Sequence, residues 1–203
     1  VKEFYINDYG NQIKNFTESV FLRIQEIKYK KKFINQENLY PGNYIIEIAK
    51  KILEKHHNEK FENFRQSFDL LREESLNQSM ALIKSDLKKL GIEHDNFFSE
   101  TDIVNKDLVK KATEVLKKDN LVEEGYLKPP KGETDVNWKK TKRLIFKSTL
   151  FGDDTDRAMQ KNDGSWTYFA NDVGYHMDKI NRNYKYLINV LGADHTGYVK
   201  RIS

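Results

Sequence analysis

Apolar residues recur at helical spacing through most of the first half of the chain, and this pattern restricts the fold more than any other feature. One stripe consists of Tyr44, Ile45, Ile48, Ala49, Ile52 and Leu53. A second and longer stripe includes Phe64, Phe68, Leu71, Leu76, Met80, Ile83 and Leu87. Pro41-Gly42 separates the two stripes from the residues before them. The spacing predicts amphipathic helices within residues 16–90, each with one face in a core.

Strand patterns flank this helical block. Phe4 and Ile6 alternate with polar residues, as in a half-buried strand. Residues 144–151 and 165–169 are also typical of strands, and the continuous apolar run 187–191 predicts a buried parallel strand. Together, the patterns predict an α/β fold in which a mainly helical insertion interrupts the sheet.

Composition excludes several functional classes. The 203 residues contain no cysteine, which rules out disulfides, cysteine-ligated metals and thiol catalysis. The apolar runs are all well short of the roughly 18 residues that a membrane span needs, so we expect no membrane partner. The formal charge of +4 is compatible with a polyanion. Basic residues cluster at 28–32 and at Lys139, Lys140, Lys142 and Arg143.

Tyr168 and Asp172 are four residues apart, where a strand is predicted to end and a helix to begin. Asp172 has two interpretations. It could cap the helix, or it could present a carboxylate at the carboxyl edge of a sheet, where α/β proteins bind ligands. A carboxylate beside a phenol ring suits a guanidinium, which donates two parallel hydrogen bonds and stacks on the ring.

The segment from Gly192 to Gly197 follows the predicted buried strand. Gly192 would let a ligand approach the backbone, Asp194 could accept hydrogen bonds from ribose hydroxyls, and His195 could bind a neighbouring polar group. A purely structural glycine turn explains the segment equally well.

Three aspartates, at positions 153, 154 and 156, precede Arg157. We interpret them as a solvated loop with local ion pairs, because protein magnesium sites use only one or two carboxylates together with waters. The sequence therefore predicts no metal site.

Taken together, several segments resemble arginyl-tRNA synthetases of the bacterial type. The matching segments are FYINDYGNQ from Phe4 to Gln12, Phe151 to Asp154, Arg157, Asp163-Gly164, Thr167 to Phe169, DVGYH from Asp172 to His176, and GADHTGYV from Gly192 to Val199. The resemblance is dense over residues 1–12 and 148–203 and loose between them.

The resemblance implies a class I aminoacyl-tRNA synthetase. Such an enzyme joins L-arginine to ATP, with Mg²⁺ accompanying the ATP, and transfers the arginyl group to tRNA-Arg. The implied fold is part of a Rossmann-like nucleotide-binding core. Residues 1–15 would begin this core, residues 16–120 would form the helical insertion, and residues 121–203 would return to the core. A monomeric parent protein in the cytoplasm is expected.

Carried over to matching positions, the resemblance places Tyr168, Asp172 and His195 at the arginine and Gly192 and Asp194 at the ATP.

The resemblance also places four residues near the active site, although it assigns them no role in a reaction step: Asn7, Asp8, Gly10 and Gln12.

Two signature segments of the family do not occur in this sequence. We expect a His-x-Gly-His segment upstream of Val1 and a Lys-Met-Ser-Lys-like loop after Ser203. Both bind ATP phosphates, so the catalytic residues remain unassigned and the chain alone is expected to be inactive. Two alternatives are a non-catalytic relative that binds arginine or RNA, and a class I synthetase for another amino acid.

Overall fold

The computed structural model describes residues 1–127, 141–193 and 199. The chain divides into two compact units, Val1–Thr101 and Asp102–Ser203, and each unit is described by itself. Both helices and strands occur, which confirms the prediction of a mixed α/β fold. Within the described ranges, no helix is both long enough and apolar enough to cross a membrane.

The first unit is mainly helical. Its elements are strand β1 (Glu3–Ile6), helices α1 (Asn11–Tyr29), α2 (Asn43–Lys55) and α3 (Phe64–Lys89), and strand β2 (Asn96–Ser99). The three helices share a core in which Ile24, Ile45, Ile48, Ile52 and Leu71 are fully buried. The apolar stripe predicted for α2 is the face that enters this core, as its helical spacing requires.

Strands β1 and β2 pair in parallel, with Glu3 opposite Asn96 and Ile6 opposite Ser99. The helical segment between them is the long crossover that a parallel pair needs. Because parallel strands run in the same direction, the residues after Ile6 and after Ser99 leave the sheet at the same edge.

The second unit combines helices with a small antiparallel sheet. Helix α4 (Glu100–Asn105) begins just before the unit boundary. The remaining elements are helix α5 (Leu108–Lys118), strands β3 (Val122–Gly125), β4 (Arg143–Phe146) and β5 (Arg157–Ala158), a 3-10 turn (Ser148–Phe151) and helix α6 (Tyr168–Asn181). Strand β4 pairs antiparallel with both β3 and β5.

Helices α5 and α6 approach closely at Gly174. A Cβ atom at this position would lie 2.9 Å from the backbone nitrogen of Val109 and 3.1 Å from the carbonyl carbon of Leu108. Real Cβ atoms almost never come this near to another backbone, so the contact requires glycine. Gly174 therefore sets how α6 lies on α5.

Two predicted strands are wrong. Residues 187–191 form no strand, and the side chains of Ile188 and Val190 are 85% and 92% exposed. An apolar run becomes a strand only when its backbone pairs with a neighbour, and no described strand pairs with this one. In the segment 165–169, the only strand-like contact described is the bridge between Trp166 and Gln160.

Candidate functional site

Thr167 fixes the start of α6. Its hydroxyl oxygen accepts a hydrogen bond from the backbone N–H of Ala170 at 3.2 Å and donates to the carbonyl of Ala158 at 2.8 Å. Threonine is a favoured helix cap because this geometry satisfies an otherwise free N–H group. Thr167, and not Asp172, is therefore the cap, and the capping interpretation of Asp172 is wrong. The same hydroxyl ties α6 to the end of β5.

Tyr168 and Asp172 lie one helical turn apart on α6. A residue four positions along a helix lies nearly above the first, so the two side chains share a face. Gly174, which contacts α5, is two residues from Asp172, or about 200° around the helix. The face that carries Tyr168 and Asp172 is consequently turned away from α5. Tyr168 is 76% exposed and Asp172 is half-buried.

His176 extends this face by one more turn. Its Nδ1 lies 2.8 Å from the backbone oxygen of Asp172. A carbonyl oxygen only accepts hydrogen bonds, so Nδ1 carries a proton and donates it. The bond holds the imidazole ring against the turn that begins at Asp172. The ring's other nitrogen, Nε2, is buried and has no hydrogen-bond partner among the described residues.

Asp8 joins the ends of the two parallel strands. Its carboxylate accepts hydrogen bonds from the Ser99 hydroxyl at 2.6 Å and from the Thr101 backbone N–H at 2.9 Å. Its backbone oxygen accepts a hydrogen bond from Arg72 at 3.2 Å. Asp8 therefore holds the carboxyl ends of β1 and β2 together and fixes the first turn of α4.

Three neighbours of Asp8 shape the entry to α1. The side-chain amide of Gln12 donates to the side-chain oxygen of Asn7 and, at 3.4 Å, to the backbone oxygen of Tyr9. Gly10 precedes the helix with a φ of 99°, a backbone conformation that favours glycine. Asn7, Asp8, Gly10 and Gln12, which the resemblance singled out, thus lie next to one another between β1 and α1, and we call them the Asp8 cluster.

We expect Asp8→Ala to lower the free energy of unfolding by about 2–3 kcal/mol, because two hydrogen bonds to a half-buried carboxylate are lost. Asp95→Ala is the matched control. Asp95 accepts a hydrogen bond from the Lys2 backbone N–H at 2.7 Å at the opposite end of the same strand pair, but it is exposed. Urea unfolding should show a smaller loss for the control. Equal losses would mean that Asp8 has no special role.

The acidic loop after the 3-10 turn is a local ion-pair cluster. The Arg157 guanidinium contacts Asp153 at 2.6 and 2.5 Å and Asp154 at 2.9 Å. The hydrogen bonds from Arg157 hold the pKa of the Asp153 carboxyl well below its usual range. Within the described ranges, no three histidine, aspartate or glutamate side chains converge to bind a metal ion.

The Asp153–Arg157 pair should make stability depend on pH. A carboxyl whose pKa is lowered by folding stabilises the protein fully above its unfolded pKa, about 4, and this contribution decreases below that pH until it is gone below the lowered folded pKa. We therefore expect Asp153→Asn to cost about 2–3 kcal/mol at pH 7 and about 1 kcal/mol less at pH 3, where the unfolded carboxyl is mostly protonated and the folded one is still ionised. Urea unfolding of both proteins at the two pH values tests this. A cost that does not change with pH would contradict it.

The basic cluster at residues 139–143 is partly neutralised by an ion pair. Lys142 pairs with Glu124 at 2.6 Å, and Lys147, a nearby lysine on the same segment, pairs with Glu123 at 2.7 Å. The hydrogen bond from Lys142 also lowers the pKa of Glu124. Lys139 and Lys140 lie outside the described residues.

The predicted site residues thus fall into two groups. Tyr168 and Asp172 share a face of α6 in the second unit, and the Asp8 cluster lies at the strand ends of the first unit. Gly192 is described and exposed, whereas Asp194 and His195 lie outside the described residues.

Sequence reasoning did not identify Arg72, Ser99 or Thr101 as partners of Asp8. No local pattern could have done so, because the pairing of β1 with β2 brings Ser99 and Thr101 to Asp8, and Arg72 reaches it from α3, in each case across more than sixty residues.

Comparison with known proteins adds an independent observation. The arginine–tRNA ligase of Pelagibacter ubique is 56% identical over all 203 residues, and that of Ehrlichia chaffeensis is 48% identical over the same length. The chain resembles arginine–tRNA ligases along its whole length. This finding confirms the resemblance drawn from the sequence. The chain spans about a third of the length of these ligases, with 35% covered in each case.

A solved structure agrees with the sequence relatives. A candidate arginyl-tRNA synthetase from Campylobacter jejuni matches with a TM-score of 0.79 and 31% identity, covering 98% of this chain and 40% of that protein. No family model matches the chain. The similarity to arginine–tRNA ligases includes the segments that carry Asp8 and Asp172, since the sequence matches run from end to end.

Proposed function

We propose that this chain is part of the catalytic domain of an arginine–tRNA ligase, a class I aminoacyl-tRNA synthetase of translation. The observation that carries the proposal is 56% identity to such a ligase over every residue of the chain. The pairing of Tyr168 with Asp172 on one face of α6 supports it, because that face suits a planar cation.

In the proposed reaction, a carboxylate oxygen of L-arginine attacks the α-phosphorus of ATP. The new oxygen–phosphorus bond gives arginyl-adenylate, and pyrophosphate leaves. The 3′-terminal ribose of tRNA-Arg then takes the arginyl group and releases AMP. Both steps depend on positioning and charge stabilisation, so no protein nucleophile is required.

Asp172 would recognise the arginine side chain. Its carboxylate accepts two hydrogen bonds from the guanidinium fork, which a lysine ammonium cannot supply in the same plane. The ring of Tyr168 would lie against the cation. His195 would contact the arginine, while Gly192 and Asp194 would lie along the adenosine ribose.

The proposal also assigns an organisation to the chain. Residues 1–15 and 121–203 would belong to a Rossmann-like core, and residues 16–120 would be the mainly helical insertion. Strand β2 lies within that insertion and pairs with β1. The Asp8 cluster would lie beside the active site, in keeping with its place at the carboxyl edge of two parallel strands.

Mg²⁺ would enter with ATP, bound to the phosphates. The described part of the chain does not fit a metal held by protein ligands, because Asp153 and Asp154 are engaged by Arg157. We therefore assign no step to a protein-bound metal. The parent enzyme would be a cytoplasmic monomer.

Charging assays test the proposal. The full-length protein should attach arginine to tRNA in the presence of ATP, and should not attach lysine or glutamine. Calorimetry with the same three amino acids should show binding of arginine alone. Arginine binding without charging would instead favour a non-catalytic binding module, and charging with another amino acid would identify a different class I synthetase. The chain by itself should not catalyse pyrophosphate exchange.

A further inference from the structure

The exposed face of α5 carries four lysines in two adjacent pairs, Lys110 with Lys111 and Lys117 with Lys118. The pairs are seven residues apart, or about two helical turns and roughly 10 Å along the axis. Because seven residues nearly complete two turns, both pairs lie on the same side of the helix. The result is a compact positive surface, which we call the α5 lysine face.

This face is opposite the buried side of α5. Val109, Ala112 and Thr113 are buried, and Val109 lies at the contact with Gly174 of α6. All four lysines are exposed. The amphipathic pattern of α5 therefore directs its positive charge away from α6 and towards solvent.

Among the described residues, most of this charge has no ion-pair partner. In the ranges that the structure describes, Lys110, Lys111 and Lys118 make no side-chain hydrogen bond or ion pair. Lys117 interacts electrostatically with Glu124, which is already paired with Lys142. By contrast, Lys142 and Lys147, on either side of β4, are paired with glutamates, so they have less free charge to attract a ligand.

The net positive charge of the chain lies in its second half, which includes α5. Residues 1–101 contain sixteen lysines and arginines and sixteen aspartates and glutamates. Residues 102–203 contain nineteen and fifteen, so the whole formal charge of +4 belongs to the second unit. A localised positive patch attracts a polyanion over roughly 10 Å at physiological salt.

We propose that the α5 lysine face binds the phosphate backbone of the tRNA substrate. This inference rests on the proposed function, which supplies the polyanion. Because the lysine face and the face of Tyr168 and Asp172 lie on opposite sides of the α5–α6 pair, the contact is with phosphates away from the reacting 3′ end. It contributes to tRNA affinity and not to the chemical step.

The test uses the full-length protein with all four lysines changed to glutamine. We expect tRNA-Arg affinity to fall by roughly tenfold or more, and the slope of log affinity against log salt to flatten by about 2–3. The KM for tRNA should rise while kcat and arginine affinity stay unchanged. As a matched control, K110Q/K111Q is compared with K50Q/K51Q, which changes two consecutive exposed lysines on α2.

Glu114 offers a test of opposite sign. It lies on the same exposed face, between the two lysine pairs. Glu114→Gln removes a negative charge from the surface and should tighten tRNA binding by about two- to threefold. A general loss of folding would weaken binding in both variants, so opposite shifts separate a direct phosphate contact from a structural effect.

Several outcomes would overturn the inference. Unchanged affinity and salt slope in the four-lysine variant, with normal charging by the wild type, would show that tRNA contacts another surface. If K50Q/K51Q lost as much tRNA affinity as K110Q/K111Q, the effect would come from the net charge of the protein and not from the α5 lysine face. A wild type that binds arginine but neither binds nor charges tRNA would refute the proposed function and remove the basis of the inference.

Discussion

Asp172→Asn is expected to weaken arginine binding by the full-length protein by at least about a hundredfold. Asparagine has nearly the same shape as aspartate but carries no charge, and its amide nitrogen donates where the guanidinium also donates. The substitution loses charge-assisted hydrogen bonds and leaves one donor facing another. Together these effects cost about 3 kcal/mol, which corresponds to a roughly hundredfold loss of affinity.

The position of Asp172 explains why the fold should survive the change. Thr167 caps α6, so the Asp172 side chain is not needed to begin the helix. Its backbone oxygen, which accepts the hydrogen bond from His176, is unaltered by the substitution. We therefore expect α6 to form in this variant while arginine affinity collapses.

Asp178→Asn is the matched control on the same helix. Asp178 pairs with Arg182 at 3.2 Å, so its role within the chain is structural. Calorimetric titration with arginine should give a normal affinity for this variant. A near-normal arginine affinity in Asp172→Asn would show that the Asp172 carboxylate does not bind arginine. An equal loss of affinity in both variants would point to a general effect on α6.

The helices were the part of the fold that local sequence could predict. The α2 stripe repeats every three or four residues, and this spacing depends only on the geometry of the helix itself. Ile45, Ile48 and Ile52 are fully buried as a result. Strand β1 was also predictable, because Phe4 and Ile6 alternate with polar residues.

The two wrong strand predictions lie in segments where pairing with another strand, and not the local sequence, decides whether a strand forms. Ile188 and Val190 have strong strand propensity, but propensity reflects packing against neighbouring strands rather than a preference of the backbone alone. At 165–169, aromatic and β-branched residues favoured a strand, and Thr167 instead capped a helix. A threonine at such a position can extend a strand or cap a helix, and the hydrogen bond from the Ala170 N–H shows that Thr167 caps α6.

Residue types and spacing made Tyr168 and Asp172 a candidate pair for a guanidinium, and their role in binding arginine stays a prediction. The role of Asp8 was not predictable, since its partners Ser99 and Thr101 are more than ninety residues away. Long-range pairing of this kind leaves no trace in a local pattern.

Gly174→Val is expected to lower the free energy of unfolding by about 3 kcal/mol and to weaken arginine binding as well. Helix propensity alone predicts a slight gain, because valine is a better helix former than glycine. Packing predicts the opposite, since even a Cβ would lie 2.9 Å from the Val109 backbone nitrogen. Overpacking of this kind typically costs 1–3 kcal/mol, occasionally more, and forces the backbones apart.

The second effect follows from the position of Asp172 two residues away. If α6 shifts to relieve the clash, the Asp172 carboxylate moves with it, and small displacements of a binding group cost affinity. Urea unfolding and arginine titration of the full-length protein measure the two effects. The double variant Val109→Ala with Gly174→Val should not recover, because the clash involves the backbone of Val109 rather than its side chain. Recovery in the double variant, or wild-type stability in the single one, would show that α5 and α6 are not held by a glycine contact.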